Sequence, residues 1–235
     1  MSGETGFRIF TQITRPDPEV VELFRELPVC NIDDCMNKLA AMHSEIKPLN
    51  KVKLLGTAVT VRAPIGDNLM FHAAISFAQA GDVIVVAGGG CTERALCGEN
   101  MMQIARQKGI RGFVVDGTVR DSAALDTFDD FNIFARGIMP NASYKGLGPG
   151  EMNVPIAVGN QVVFPGDIIV GDEDGVIAVR PEQARAIADE AKKLKEKEEA
   201  NLQLILKGKS DRSWVQKALE ERGCRFYNCS WDELM

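Results

Sequence analysis

Apolar positions along the chain change spacing repeatedly, and each change predicts an element. Between Arg15 and Lys47, Val20, Val21, Leu23, Phe24 and Leu27 crowd one helical face before Pro28, and a second run from Asn31 or Asp33 sets Met36, Leu39 and Ala40 at helical spacing. Residues 52–61, rich in β-branched side chains, read as a strand. From Asp67 to Ala80 the spacing returns to four, with Leu69, Ala73 and Phe77 in step and Asp67 placed to cap; Gly81-Asp82 ends the helix. Val83–Ala87 is uniformly apolar, as suits a strand covered on both faces. A loop is expected after Gly88-Gly89-Gly90. A helix then runs from about Gly98 to Lys108 with Met101, Ile104, Ala105 and Lys108 inward, followed by a buried strand at Phe113–Asp116 and a helix from Ser122.

This strand–helix–strand rhythm predicts an α/β fold. From Val154 to Val179 the pattern is strand only, with turns at Pro165-Gly166-Asp167 and Asp172–Gly175. Pro181 then opens a charged, alanine-rich helix over 182–207, roughly 40 Å long and so able to overshoot its own core. A catalytic core over 1–180 and a helical arm over 181–235 follow from that division. Both tryptophans, Trp214 and Trp231, lie in the arm, which predicts that the tail packs on something, a partner chain included.

Composition narrows the class. Of 235 residues 45% are hydrophobic and 26% charged, ordinary for a globular protein, and the net charge of −6 without a basic stripe argues against nucleic acid as partner. No apolar run approaches a membrane span, and the charged first thirty residues do not read as a secretory signal, so a cytoplasmic enzyme is expected. The six cysteines then read as reduced thiols; the pairs Cys30/Cys35 and Cys224/Cys229 lack the tight zinc turn. With only two histidines, His43 and His72, any working metal would take carboxylate ligands, which favours Mg2+ or Mn2+. His72 reads as a helix residue, and Asp172 and Asp174 as turn acids.

Two short stretches carry candidate chemistry. Gly98-Glu99-Asn100-Met101 opens a helix, where unpaired amides and the positive end of the dipole make a carboxylate or phosphate cradle. Gly117-Thr118-Val119-Arg120-Asp121 follows a buried strand, at the end where α/β sheets gather ligands, and could place a cation beside a metal-binding carboxylate. Each also has a plain reading: Arg120-Asp121 as a surface ion pair or a cap on Ser122 onward, Glu99 as a dipole-favoured surface acid.

Together these stretches are similar to the acid-x20-Arg-Asp signature of the RraA-like group, which includes the class II pyruvate aldolases: Glu99, twenty residues, then Arg120-Asp121. The resemblance extends over roughly residues 15–225 through Gly56–Val61, Pro64-x-Gly66-Asp67-Asn68, Ala80–Val83, Asn153-Val154-Pro155, Pro165-Gly166-Asp167, Asp172–Gly175 and Glu198-Glu199-Ala200. It implies a layered β/β/α swivelling-type sandwich with a long C-terminal helix reaching a neighbouring subunit, in a homotrimer or homohexamer. It further implies that the Gly98, Glu99, Asn100 and Met101 amides hold the pyruvate carboxylate and that Arg120 binds the pyruvyl oxygen. Asp121 would ligate Mg2+ or Mn2+ directly and Glu99 through water, its extra methylene lengthening the reach relative to the aspartate common there. Glu198 of the adjacent subunit, or else Glu199, would complete the site.

The implied activity is cleavage of 4-hydroxy-4-methyl-2-oxoglutarate or 4-carboxy-4-hydroxy-2-oxoadipate to pyruvate plus a 2-oxo acid, with oxaloacetate decarboxylation as a side reaction. The lysines lie in polar loops or on the charged helix, which argues against a Schiff-base lysine. Two alternatives stand beside the aldolase: a non-enzymatic protein that regulates ribonuclease E, and a dedicated oxaloacetate decarboxylase. Residues 64–68 and 136–150 are expected to shape the far end of the pocket.

Overall fold

The computed structural model describes residues 5–144 and 148–235. The chain begins with β1 (Phe7–Ile9), α1 (Pro18–Glu22), α2 (Val29–Cys35) and β2 (Lys47–Pro48). Its centre is β3 (Leu54–Arg62), α3 (Leu69–Phe77), β4 (Asp82–Ala95), α4 (Glu99–Gln107), β5 (Gly112–Val119), a 3₁₀ turn at Ser122–Thr127 and β6 (Asn132–Ile138). Then come β7 (Gly150–Met152), β8 (Ile156–Val158), β9 (Gln161–Val163), β10 (Ile168–Gly171), β11 (Val176–Val179), α5 (Ala184–Leu206) and α6 (Ser213–Glu221).

β3, β4, β5 and β6 lie side by side and parallel, which places the starts of all four strands on one edge and their ends on the other. The free side of β3 is shared, β10 pairing with its first half and β7 with its last two residues, both antiparallel. Alternation along the strands separates two cores. Ile84, Val86, Phe113 and Val115 face α3 and α4, while Val83, Val85 and Val114 face the β8–β9 hairpin. A third cluster sets Phe24, Ile32 and Ile187 against Leu55, Ile168 and Ile177. The result is a layered α/β sandwich whose central strands are covered on both faces.

Several expectations shift. The early helices are shorter, because Asn37 and Lys38 adopt left-handed φ of 60° and 61° and stop α2 at Cys35. Met36, Leu39 and Ala40 are therefore not helical; the Asp33 carboxylate instead accepts from the amides of Ala40 and Ala41 at 2.9 and 3.1 Å. The Asp172 carboxylate, in the β10–β11 turn, accepts from the Val29 amide at 2.8 Å and so starts α2. The glycines after Ala87 do not open a loop: β4 continues to Ala95 with two register shifts against β5, and Gly89 and Gly90 supply the positive φ at the bend. In α3 the buried face is Met70, Phe71, Ala74 and Ile75, whereas Leu69 and Phe77 are exposed. In α4, Met102 is buried and Ile104 exposed, and Lys108 donates to the carbonyls of Ile75 and Ser76.

Phe113 sits at the centre of the larger core, edge-on to Phe71 at 4.8 Å and Phe131 at 5.0 Å. Phe113→Ala is expected to remove about 3–5 kcal/mol of unfolding free energy, read as a lower denaturant midpoint at unchanged slope.

The chain divides into two compact units, Met1–Lys193 and Leu194–Met235. The first takes in the start of α5, where Ala184, Ile187, Ala188 and Ala191 are buried, so the core reaches beyond residue 180. The second contains no buried residue, and Trp214 and Trp231 are 66% and 70% exposed. No helix among the described residues is long and apolar enough to cross a membrane.

Candidate functional site

β4 and β5 end together, and hydrogen bonds across those ends build the site. The Leu96 amide donates to the Thr118 carbonyl at 2.8 Å and the Arg120 amide to the Cys97 carbonyl at 3.0 Å, which brings Gly98 against Arg120 and Asp121. A Cβ at position 98 would fall 2.4 Å from Asp121 Oδ2 and 3.0 Å from Arg120 Nε, so any other residue would displace both side chains. The space that a side chain would fill lies at the amino end of α4.

Asp121 has φ 58° and ψ 38°, a left-handed conformation that a non-glycine residue holds at a cost of about 1–3 kcal/mol and that concentrates at functional sites. Its side chain makes no capping bond to the Ser122–Thr127 turn. Instead Oδ2 accepts from the Glu99 amide at 3.1 Å and lies 3.4 Å from Arg120 Nε. Of the amides expected to cradle an anion, that of Glu99 is thus taken by Asp121 and that of Met101 donates to the Gly98 carbonyl at 3.0 Å. The Gly98 and Asn100 amides have no partner among the described residues. A cation and two open amides stand around one carboxylate, with the positive end of the α4 dipole behind them.

These groups line a cavity of about 320 Å³. Asn68, within the 64–68 stretch expected to shape the pocket, lines it, and so does His72, which the sequence suggested only as a helix residue. Asn68 is 4% exposed; its Nδ2 donates to the Leu96 carbonyl at 2.9 Å while its buried Oδ1 has no hydrogen-bond partner among the described residues. Cys97 forms part of the wall, and burial pushes its thiol up, with the charge of Asp121 adding, so it stays neutral. Ala142 and Ser143 also line it, and next in the chain Tyr144 has Arg94 stacked 3.7 Å over its ring and donating to its hydroxyl at 2.7 Å. Arg136 is not there: it lies on β6, where it pairs with Asp116 and Glu45. Residues 145–147 lie outside the described residues.

Among the described residues no group of three or more His, Cys, Asp or Glu could hold a metal ion. A cation that binds through one or two carboxylates and keeps several waters, as Mg2+ does, needs no such group. Asp121, whose Oδ1 makes no hydrogen bond among the described residues, and Glu99, exposed as the first residue of α4, are the residues that could hold it. Glu198 and Glu199 lie on the part of α5 that belongs to the second unit, where Glu199 pairs with Lys195 at 3.7 Å. The described cysteines are free thiols, with Cys91 and Cys97 buried. Cys30 donates to Asp174 at 3.3 Å, and burial foremost pushes its thiol up to about 11.

Comparison with known proteins agrees with the architecture. Residues 29–178 match the profile of the family described as RraA-like, Aldolase/RraA. A protein of Halalkalibacterium halodurans provisionally named 4-hydroxy-4-methyl-2-oxoglutarate aldolase is 40% identical over 195 residues, 82% of this chain and 91% of that one. Among solved structures, Streptomyces coelicolor RraAS2, an unusual member of the RNase ES inhibitor RraA family, superposes with a TM-score of 0.70 at 26% identity, covering 80% of this chain and 98% of its own. The RNA-processing inhibitor RraA of a Thermus species does so with a TM-score of 0.59 at 31% identity, covering 66% and 93%.

Proposed function

The chain belongs to the RraA-like (Aldolase/RraA) family, and on that premise we propose that it is a divalent-metal-dependent aldolase that cleaves 4-hydroxy-2-oxo acids to pyruvate and a second 2-oxo acid. The observation that carries this reading is the packing of Gly98 against Arg120 and Asp121, which sets a fixed cation and a carboxylate beside open helix amides.

Cleavage takes the proton of the 4-hydroxyl to water as C4 becomes a carbonyl. The C3–C4 electron pair becomes the C2=C3 bond of an enolate with negative charge on the 2-oxo oxygen, and water then protonates C3 to give pyruvate. In the proposed pose the Gly98 and Asn100 amides hold the substrate carboxylate, and Arg120 faces the oxygen on which negative charge develops. Asn68, which lines the same cavity, lies within the reach of the substrate's far end in this pose. Asp121 would hold Mg2+ or Mn2+ directly and Glu99 through water; such a cation supplies Lewis-acid stabilisation of the developing charge. Oxaloacetate losing carbon dioxide leaves the same three-carbon enolate, so decarboxylation is a side reaction of the same residues. Glu198 of a neighbouring subunit, with Glu199 beside it, would close the site in a homotrimer or homohexamer, both glutamates lying on the 23-residue α5.

The test is pyruvate release from 4-hydroxy-4-methyl-2-oxoglutarate, 4-carboxy-4-hydroxy-2-oxoadipate and oxaloacetate, each with Mg2+ and with EDTA. Turnover of either of the first two that EDTA removes is the expected result; turnover of oxaloacetate alone would mark a decarboxylase. The names of the Streptomyces and Thermus neighbours favour a second reading, a protein that binds and regulates a ribonuclease without catalysis. Capture of a ribonuclease together with no pyruvate from any of the three acids would make that reading the better one.

A further inference from the structure

A second cavity, about 250 Å³, lies at the opposite edge of the sheet from the aldolase site. It is lined by the first residues of β3, by Asp82 at the start of β4 and by Arg111 just before β5, whereas Gly98 and Arg120 follow the far ends of β4 and β5. Its walls mix a short apolar surface from Val21 and Leu55 with three guanidinium groups, Arg15, Arg25 and Arg111.

The polar groups there are unevenly matched. Asp82 is 1% exposed and fully engaged: Arg15 donates to it twice, at 3.0 and 2.7 Å, and the Gln79 amide donates at 2.8 Å. That clamp fixes the Arg15 guanidinium and leaves its third nitrogen without a partner. The remaining carboxylate, Glu22, is bound by Arg25 at 2.6 Å. Its carboxyl is held below the ordinary value, first by that hydrogen bond and, against desolvation, by the positive fields of Arg25 and Arg111. Arg111 itself has no hydrogen bond or ion pair from its side chain among the described residues. Thr57 is 6% exposed, lines the cavity, and its hydroxyl likewise has no partner among the described residues. That hydroxyl is not sealed from solvent, so it is open to the cavity as a donor or acceptor for a ligand. Three cations against two carboxylates, both already tied, leave a net positive pocket with donors to spare.

We propose that this cavity is a second binding site, for a small organic carboxylate with a short apolar body, received by Arg111, the free edge of Arg15 and the Thr57 hydroxyl. The apolar body meets Val21 and Leu55, which a bare inorganic anion would leave unused. The site shares no residue with the aldolase cavity and does not depend on the proposed reaction.

Titration of the full chain with isobutyrate, followed by the methyl resonances of Val21 and Leu55, tests it. Saturable shifts are expected with isobutyrate and none with the neutral isobutyramide. Arg111→Gln should weaken the affinity about tenfold or more, since a charge-assisted hydrogen bond is lost, and Thr57→Val by a smaller factor. The methyl spectrum of the distant Ile84 and Val86 serves as the check that both variants fold. Equal response to the amide, no saturable shift, or undiminished affinity in a folded Arg111→Gln protein would each overturn the assignment.

Discussion

Arg120→Ala is expected to lower pyruvate release at least about a hundredfold, the loss measured when one preorganised donor to a developing oxyanion is removed. The Arg120 backbone amide is already committed to the Cys97 carbonyl at 3.0 Å, a bond that any residue at 120 can make, so the loop should keep its path. The side chain is 42% exposed, so its removal opens no core cavity. The defect should therefore fall on chemistry, with kcat and kcat/KM declining together, because the interaction strengthens only as charge builds on the substrate oxygen. Arg120→Lys is expected to fail as a rescue. An ammonium restores the charge but not the planar fork that can face the 2-oxo oxygen while Nε stays near Asp121. Near-parent turnover in Arg120→Lys would remove Arg120 from the proposed mechanism.

The central repeat of the fold was legible because its signals are local. Val83–Ala87 and Phe113–Asp116 are apolar on successive positions, and strands covered on both faces by helices and a hairpin require that. The misreadings have tertiary causes. Three glycines after Ala87 look like a loop, yet β5 holds β4 in the sheet to Ala95 by shifting register twice. Met36, Leu39 and Ala40 keep helical spacing, but Asp33 draws the amides of Ala40 and Ala41 into a tight turn through two left-handed residues. In α3 the period was read correctly and the face wrongly, since Leu69 and Phe77 repeat as regularly as Met70 and Ala74. The strands β1, β2, β7 and β8 are two or three residues long and carry too little pattern to announce themselves.

The candidate site was legible in its two short stretches and illegible in what surrounds them. Gly98 and Arg120-Asp121 lie directly after strands, and parallel pairing of β4 with β5 brings strand ends together whatever the intervening sequence. His72 gave no such sign, and Asn68 was marked only as part of the 64–68 stretch: one lies in α3 and the other caps it, and only the packing of that helix beside α4 turns them into the cavity. The Asp-Asn pair after Gly66 reads as an ordinary helix start, and nothing local shows that the Asn68 amide reaches the Leu96 carbonyl. The plain reading of Asp121 as a cap for Ser122 onward fails for a related reason. A left-handed φ turns its carboxylate back to the amino end of α4.

That orientation makes Asp121→Asn the sharpest separation of fold from chemistry. Asparagine is nearly the same size, tolerates the left-handed φ of 58° at least as well as aspartate, and keeps an oxygen to accept from the Glu99 amide at 3.1 Å. Its thermal midpoint should stay close to that of the parent. Its affinity for a divalent cation should not, because an amide oxygen carries no net charge and hard cations are held by anionic oxygen. Losing a residue that merely orients a ligand weakens metal binding 10–100-fold, so losing the direct ligand should weaken it by more than about a hundredfold and lower pyruvate release at least as far. Calorimetric titration with Mg2+, or the loss of free Mn2+ signal in electron paramagnetic resonance, reads the first effect without reference to turnover. Glu99→Gln supplies the graded comparison, since a ligand acting through water should cost less than Asp121 at the same helix end. If Asp121→Asn protein binds Mg2+ as tightly as the parent and releases pyruvate as fast, the carboxylate beside Gly98 serves the helix and not a cation, and the metal-dependent reaction proposed for this cavity fails with it.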